Sequence, residues 1–225
     1  MKRILTFTLL LALFMPLSAQ TQQNVPDYGL GSVCLHWAEK VIKNVPDGTL
    51  GMMLKRFNDE WPYTAVGDVM PIVGQKSSEK VLDDETELTV VNDVANGYVS
   101  IGDAGTDSQY MTACVWRRSN GHRLLAINLG SPTDPSVDFV CFYDYDQKTK
   151  TLTPEPDILT GRKAKVEDNQ FSHLLPRKGK DMVVYEYEGW DCTSHIYKWD
   201  GMRPVYLKSV EGHVDAEGNK TDNEE

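Results

Sequence analysis

The stretch from Met111 to Leu129, MTACVWRRSNGHRLLAINL, decides the fold. Two apolar-rich runs, Met111 to Arg118 and His122 to Leu129, flank Asn120-Gly121. That dipeptide suits a two-residue type I′ hairpin loop, because both of its residues tolerate positive φ. Such a loop sets Ser119 opposite His122, Trp116 opposite Leu125 and Cys114 opposite Ile127. One face then carries Cys114, Trp116, Leu125 and Ile127, and the other carries Ala113, Val115, Leu124 and Ala126. Both faces are apolar, so the middle of this hairpin is expected to be covered on both sides.

Strand signals continue toward the C-terminus. Val137 to Asp146 places Val137, Phe139, Cys141, Tyr143 and Tyr145 along one side. Gln147 to Lys150 turns it into Thr151-Leu152-Thr153, which Pro154 and Pro156 close. Met182 to Glu188 alternates Val183, Tyr185 and Tyr187 with Val184, Glu186 and Glu188. Ser194 to Trp199 and Arg203 to Ser209 flank Asp200-Gly201, a second two-residue hairpin. Pro204 removes a ladder donor, which suits an edge strand.

Toward the N-terminus, Tyr98 to Gly102 and Leu88 to Val91 read as strands. Upstream the period changes to that of a helix. Leu35, Ala38, Val41 and Ile42 follow a Ser32 N-cap, and Pro46-Asp47-Gly48 breaks that helix. Leu50, Met53, Leu54 and Phe57 predict a second helix over Thr49 to Phe57. Asn58 to Gln75, with Trp61-Pro62 and Met70-Pro71, reads as mostly irregular. Helices first and strands later is the order of an α+β domain. The expectation is an N-terminal helical hairpin packed on a curved, predominantly antiparallel β-meander sheet, one domain over residues 30–210.

The ends read differently. Lys2 and Arg3, the apolar run Ile4 to Met15 and Pro16-Leu17-Ser18-Ala19 form a secretory signal peptide over residues 1–19. Residues 20–29 are expected to be a flexible mature N-terminus, and residues 211–225, with six acids and one lysine, an acidic disordered tail. Removing the leader takes the formal charge from −10 to −12. Acidity argues against nucleic acid, which draws on clustered Lys and Arg. The one basic stretch, Arg162 to Lys180, reads as a solvated loop. No later run approaches the roughly 18–20 apolar residues of a membrane span, and no cysteine stands at the cleavage site to take a lipid. The expected location is periplasmic or extracellular.

Export permits disulfides, and Cys34, Cys114, Cys141 and Cys192 allow three full pairings. Their spacing is not that of a zinc site. If the His122–Leu129 strand separates Cys114 from Cys141, the two lie about 9–10 Å apart, too far to bridge. Both then read as buried small hydrophobes. Cys34 on the first helix and Cys192 in a loop could staple helix to sheet, a Cys34–Cys192 pairing the sequence leaves open.

Several constellations invite a chemical reading. Cys192 and His195 have the residue types of a thiol nucleophile and its base, yet nothing around them matches a cysteine-protease motif. Asp144, Asp146 and Glu155 mimic part of a calcium loop, but Lys148 takes a ligand position and Thr149 stands where glycine is needed. The loop Gly102 to Asp107 offers two carboxylates where calcium wants six to eight oxygens. His36, His122, His173, His195 and His213 show no metal-binding pattern. Serine-hydrolase elbow, P-loop and dinucleotide fingerprints are missing from the sequence. No metal or cofactor is expected. The strand tyrosines read as core more than platform. Trp61 and Trp190, in presumed loops, are the candidate ligand-binding residues.

The signal end Leu17-Ser18-Ala19-Gln20 is similar to those of exported Bacteroidetes proteins. Val45-Pro46-Asp47-Gly48-Thr49-Leu50, Phe142-Tyr143-Asp144-Tyr145-Asp146 and Ile196-Tyr197-Lys198-Trp199-Asp200-Gly201 resemble small uncharacterised secreted proteins of the same group. The resemblance implies a Gram-negative periplasmic or extracellular setting and transfers no active site. Two functional readings follow. The first is a non-catalytic binding module for a protein, peptide or glycan. The alternative is an exported hydrolase using a carboxylate pair about 5–10 Å apart.

Overall fold

The structure is a computed structural model that describes residues 40–62, 64–83, 88–103, 108–131, 134–156, 158–159, 170–189, 191–214 and 220–222. Twelve strands form two antiparallel meanders among these residues. The first sheet runs in sequence order through β1 (Ser78–Asp83), β2 (Leu88–Asp93), β3 (Tyr98–Asp103), β4 (Ser108–Arg117), β5 (Arg123–Ser131), β6 (Asp134–Asp146) and β7 (Thr151–Pro154). The second comprises β8 (Gln170–Leu174), β9 (Met182–Glu188), β10 (Asp191–Trp199), β11 (Pro204–Val214) and β12 (Lys220–Asp222). Antiparallel α+β architecture is therefore present, but the expected single meander is two. Pro154 ends β7 and Pro156 follows it, so neither can donate to a further ladder, and the chain leaves to begin a second layer.

Helix α1 (Leu50–Glu60) starts where the pattern placed it. Thr49 is its N-cap, its hydroxyl accepting from the Met52 N–H at 3.4 Å. Asp47 in turn accepts from the Thr49 N–H and hydroxyl. Met53, Leu54 and Phe57 form the buried stripe, each contributing roughly 1.5–3 kcal/mol by leaving water. Trp61, held out of the α region by Pro62, ends the helix. A short helix α2 (Thr64–Val69) follows in the segment expected to be irregular. The expected first helix lies outside the described residues except at its end, where the structure differs. Ile42 bridges antiparallel to Leu152, and the Val45 N–H donates to Lys150 O at 3.0 Å. Pairing with the β7 edge supplies these residues with the backbone partners a helix would have provided.

The first sheet is buried on both faces. Toward the helices it presents Val99, Ile101, Ala113, Leu125, Ile127, Cys141, Tyr143 and Tyr145, against Met53, Leu54, Phe57, Val66, Val69, Ile42 and Val45. Toward the second sheet it presents Tyr98, Cys114, Trp116, Leu124, Ala126 and Phe142, against Phe171, Met182, Val184 and Tyr197. Trp116 stacks on Trp199 at 5.6 Å between ring centroids across this interface.

Both faces of the β4–β5 hairpin are covered, as expected, but its register is one residue away from the reading. Trp116 pairs with Leu124, and Cys114 with Ala126. The loop has three residues, not two: Arg118 N–H donates to His122 O, and Gly121 N–H donates to Arg118 O. Gly121 takes φ +88° while Asn120 is not among the positive-φ residues. This is a type I turn closed by a left-handed glycine. A one-residue change of register exchanges the faces of a strand, so Leu125 and Ile127 meet the helices while Cys114 and Trp116 meet the second sheet. Cys114 and Cys141 lie on strands separated by β5 and point to opposite faces.

Two further elements were not legible. β8 lies inside the stretch read as a solvated basic loop, with Phe171, Ser172 and His173 buried. β11 runs on to Val214 and pairs with β12, so strand structure extends into the segment expected to be an unordered tail. The apolar alternation at Val210, Gly212 and Val214 carries the ladder past Glu211. No helix among the described residues is long and apolar enough to cross a membrane.

Candidate functional site

Three polar clusters stand where the two sheets meet or end. The first is buried between them. Asp138 on β6, 1% exposed, accepts from Asn128 Nδ2 at 2.7 Å and from the His173 backbone N–H at 2.6 Å. His173 Nδ1 lies 2.9 Å from Asp138 Oδ1. The carboxylate thus takes the place of a backbone carbonyl at the β8 edge and ties the second sheet to β5 and β6. This group is inaccessible and structural.

The second cluster lies at the β4–β5 hairpin end. Arg118, whose side chain is 6% exposed, forms a bidentate pair with Glu155, Nη1 at 2.6 Å and Nη2 at 2.5 Å, and a further bond from Nη1 to Asp144 at 2.5 Å. Burial works against its charge, and Glu155 and then Asp144 more than offset that. His122 Nδ1 sits 2.7 Å from Asp144. Asp144 and Glu155 therefore converge, but on a guanidinium. Asp146 instead accepts from the Lys148 N–H and the Thr149 hydroxyl in its own turn. Beside Glu155 a cleft of about 250 Å³ is lined by Pro156, Ile158 and Arg203. Ser119 N–H donates to Gly201 O, docking the tips of the β4–β5 and β10–β11 hairpins against each other.

The third cluster runs across β9, β10 and β11 and is reachable from solvent. His195 Nε2 lies 2.6 Å from Glu186 Oε2, His195 Nδ1 lies 2.8 Å from Ser209 Oγ, and Tyr206 Oη lies 2.7 Å from the same Oγ. His195 pairs with Ser209 across the β10–β11 ladder and with Val184 across β9–β10. Residues three apart on a regular strand point to opposite faces, yet Tyr206 and Ser209 share one. The reason is a bulge: Ile196 pairs with Lys208 and Tyr197 with Tyr206, leaving Leu207 unpaired.

Along the same strand, β12 covers only Gly212 to Val214. From Pro204 to Glu211 the outer edge of β11 has no ladder partner among the described residues. Val205, Tyr206 and Leu207 are exposed there, at 39%, 37% and 53%.

The residues singled out from sequence fall as follows. Trp61 is half-buried, packs against the helical side of the core and carries Lys40 Nζ 5.2 Å above its ring. Trp190 lies outside the described residues, as do Cys34, His36, residues 104–107, residues 160–169 and the proposed leader. Cys192 is in β10, not in a loop, and is buried. It and His195 point to opposite faces of that strand, so they make no nucleophile–base pair. Cys114 is a buried thiol whose acidity burial suppresses. Tyr143, Tyr145 and Tyr197 are core. Burial likewise holds the Tyr187 phenol above its usual range, with Cys192, Tyr185 and Asp138 adding to the effect.

Sequence reasoning missed Ser209 and Glu186, and Tyr206, read with the other strand tyrosines as core, is exposed. A two-residue loop at Asp200-Gly201 would set His195 opposite Tyr206. The observed loop, with Trp199 opposite Pro204, and the bulge at Leu207 together set it opposite Ser209. The signal that was available is a histidine on the same strand face as a glutamate of the preceding hairpin arm. The chain matches no known family model, no curated protein and no solved structure in the comparisons made.

Proposed function

We propose that the protein is an exported binding module whose ligand is an extended polypeptide segment added as a strand to the free edge of β11. The carrying observation is that, among the described residues, the edge from Pro204 to Glu211 has no ladder partner, with Val205, Tyr206 and Leu207 exposed on it. An added strand takes its affinity from main-chain hydrogen bonds and its specificity from alternate side chains. At about 3.4 Å per residue the free edge is roughly 25 Å long, room for a short peptide. Pro204, the Leu207 bulge and Lys208 are the features that restrain indiscriminate edge pairing, so they narrow the partners that fit. Export is supported by the charged start, apolar run and small-residue end of residues 1–19.

The paired-carboxylate hydrolase is the weaker reading. Asp144 and Glu155 share Arg118, so the two carboxylates that converge are engaged in a structural ion pair with a guanidinium. A random-peptide display selection on the purified chain tests strand addition. Enriched peptides should slow amide exchange in Val205–Val210, and Leu207→Lys should weaken them about tenfold or more. Protection confined to another surface, or no enrichment over Leu207→Lys, overturns the reading.

A further inference from the structure

The geometry points to Ser209 as a base-activated nucleophile toward acyl esters, an activity separate from strand addition and built from residues other than the paired carboxylates. With His195 as the neutral imidazole, the hydrogen-bond chain has one consistent direction. A carboxylate only accepts, so Glu186 fixes the proton of neutral His195 on Nε2. Nδ1 is then an acceptor, and the contact it makes at 2.8 Å is with the Ser209 hydroxyl. The remaining contact to that oxygen comes from the Tyr206 hydroxyl, which donates to it. Serine, a base within hydrogen-bond reach and a third group that orients the base are the parts nucleophilic catalysis requires.

Exposure is arranged accordingly. Glu186 and His195 have side chains 16% and 13% exposed, whereas Ser209 lies in the open. The base is sheltered and the nucleophile is accessible. The β-bulge at Leu207 is what turns Tyr206 onto this face, and bulges recur beside active sites for re-aiming of this kind.

In the reaction, Ser209 Oγ bonds to the ester carbonyl carbon as its proton passes to His195 Nδ1. Tyr206 turns its O–H to the developing oxyanion. The carbon–alkoxy bond breaks, the alcohol leaves with the proton from Nδ1, and an acyl-serine remains. Water then attacks that acyl carbon, giving its proton to Nδ1. The bond to Oγ breaks, the carboxylic acid departs, and Ser209 regains its proton. Glu186 stays ionised throughout and acts as a positioning residue.

The test is labelling of the purified chain with a fluorophosphonate, read by intact mass and peptide mapping. Ser209 should take one phosphonyl group, fluoride leaving, and p-nitrophenyl acetate should be turned over. Ser209→Ala and His195→Ala should abolish both, with thermal melting showing that each variant is folded. Tyr206→Phe should slow labelling about tenfold or more. Glu186→Gln should slow it, and Glu186→Asp, which keeps an acceptor carboxylate for His195 Nε2, should restore part of the rate. Ser209→Cys provides an independent reading: its alkylation should persist well below the ordinary thiol midpoint of about 8.5. No labelling of folded protein, labelling at another residue, or an ordinary thiol profile for Ser209→Cys overturns the assignment.

Discussion

The two sheets of this molecule treat polar groups in opposite ways. The first is covered on one face by helices and on the other by the second sheet, so polar side chains inside it depend on protein partners. Asp138 and Arg118 are examples, each carrying at least two partners. Among the described residues the second sheet packs on the first through β8, β9 and part of β10, and β11 has no ladder partner on its outer edge from Pro204 to Glu211. There the chain through Glu186, His195, Ser209 and Tyr206 is part-exposed. Similar side chains serve as structural links in one place and as reachable chemistry in the other. Burial makes the difference.

Removing a buried link should cost far more than removing an exposed one. Asp138→Ala leaves Asn128 Nδ2 and the His173 N–H without their acceptor at the sheet junction. The expected loss is about 3–5 kcal/mol in urea denaturation. A loss below about 1 kcal/mol would mean that the sheets are held by apolar packing alone. Arg118→Ala strands Asp144 and Glu155 together without their cation. About 2–4 kcal/mol is expected, and Arg118→Met should recover part of it by restoring packing.

Acid should reach the second sheet through its turns. Asp200, which caps the β10–β11 loop, is held below its ordinary value by the Arg203 and Met202 N–H groups. Asp181 is lowered by Lys198; in the first sheet, Asp93 at the end of β2 is lowered by Asn96 and then Arg177. A carboxyl with a depressed folded pKa contributes stability that is complete above its unfolded value and is lost as pH falls through the folded one. Stability should therefore decline below about pH 4, and Asp200→Asn should flatten that decline in denaturation series run from neutral to acid pH. The smallest effects belong to the open edge. Ser209→Ala and Leu207→Lys should each change the melting free energy by about 0.5 kcal/mol or less. A larger loss from either would show that the β11 edge is a packed structural surface.

Strand content was legible wherever alternation was strong, as at Met182–Glu188, and the spacing of Leu50, Met53, Leu54 and Phe57 located the helix to within a turn. Registers were not legible. At Asn120-Gly121 the sequence permits a type I′ loop, but only Gly121 goes to positive φ, and the extra loop residue moves every partner by one. At Asp200-Gly201 the loop length and the Leu207 bulge depend on how Trp199 and Tyr206 pack, against Trp116 and Tyr197 respectively. β8 was hidden because its apolar residues stand in a polar stretch, EDNQFSH, without alternation, and its ladder with β9 and the Asp138 contact at its other edge exist only in the folded chain.

The β4–β5 hairpin marks the division. Local rules in the sequence determined that Met111 to Leu129 would form two apolar strands around a glycine turn, since propensity and turn chemistry act over a few residues. Which face of those strands would meet the helices, and which serine would stand beside His195, was decided only in the tertiary structure. Pairing has a period of two, so a single residue added by a loop or a bulge reverses every contact beyond it.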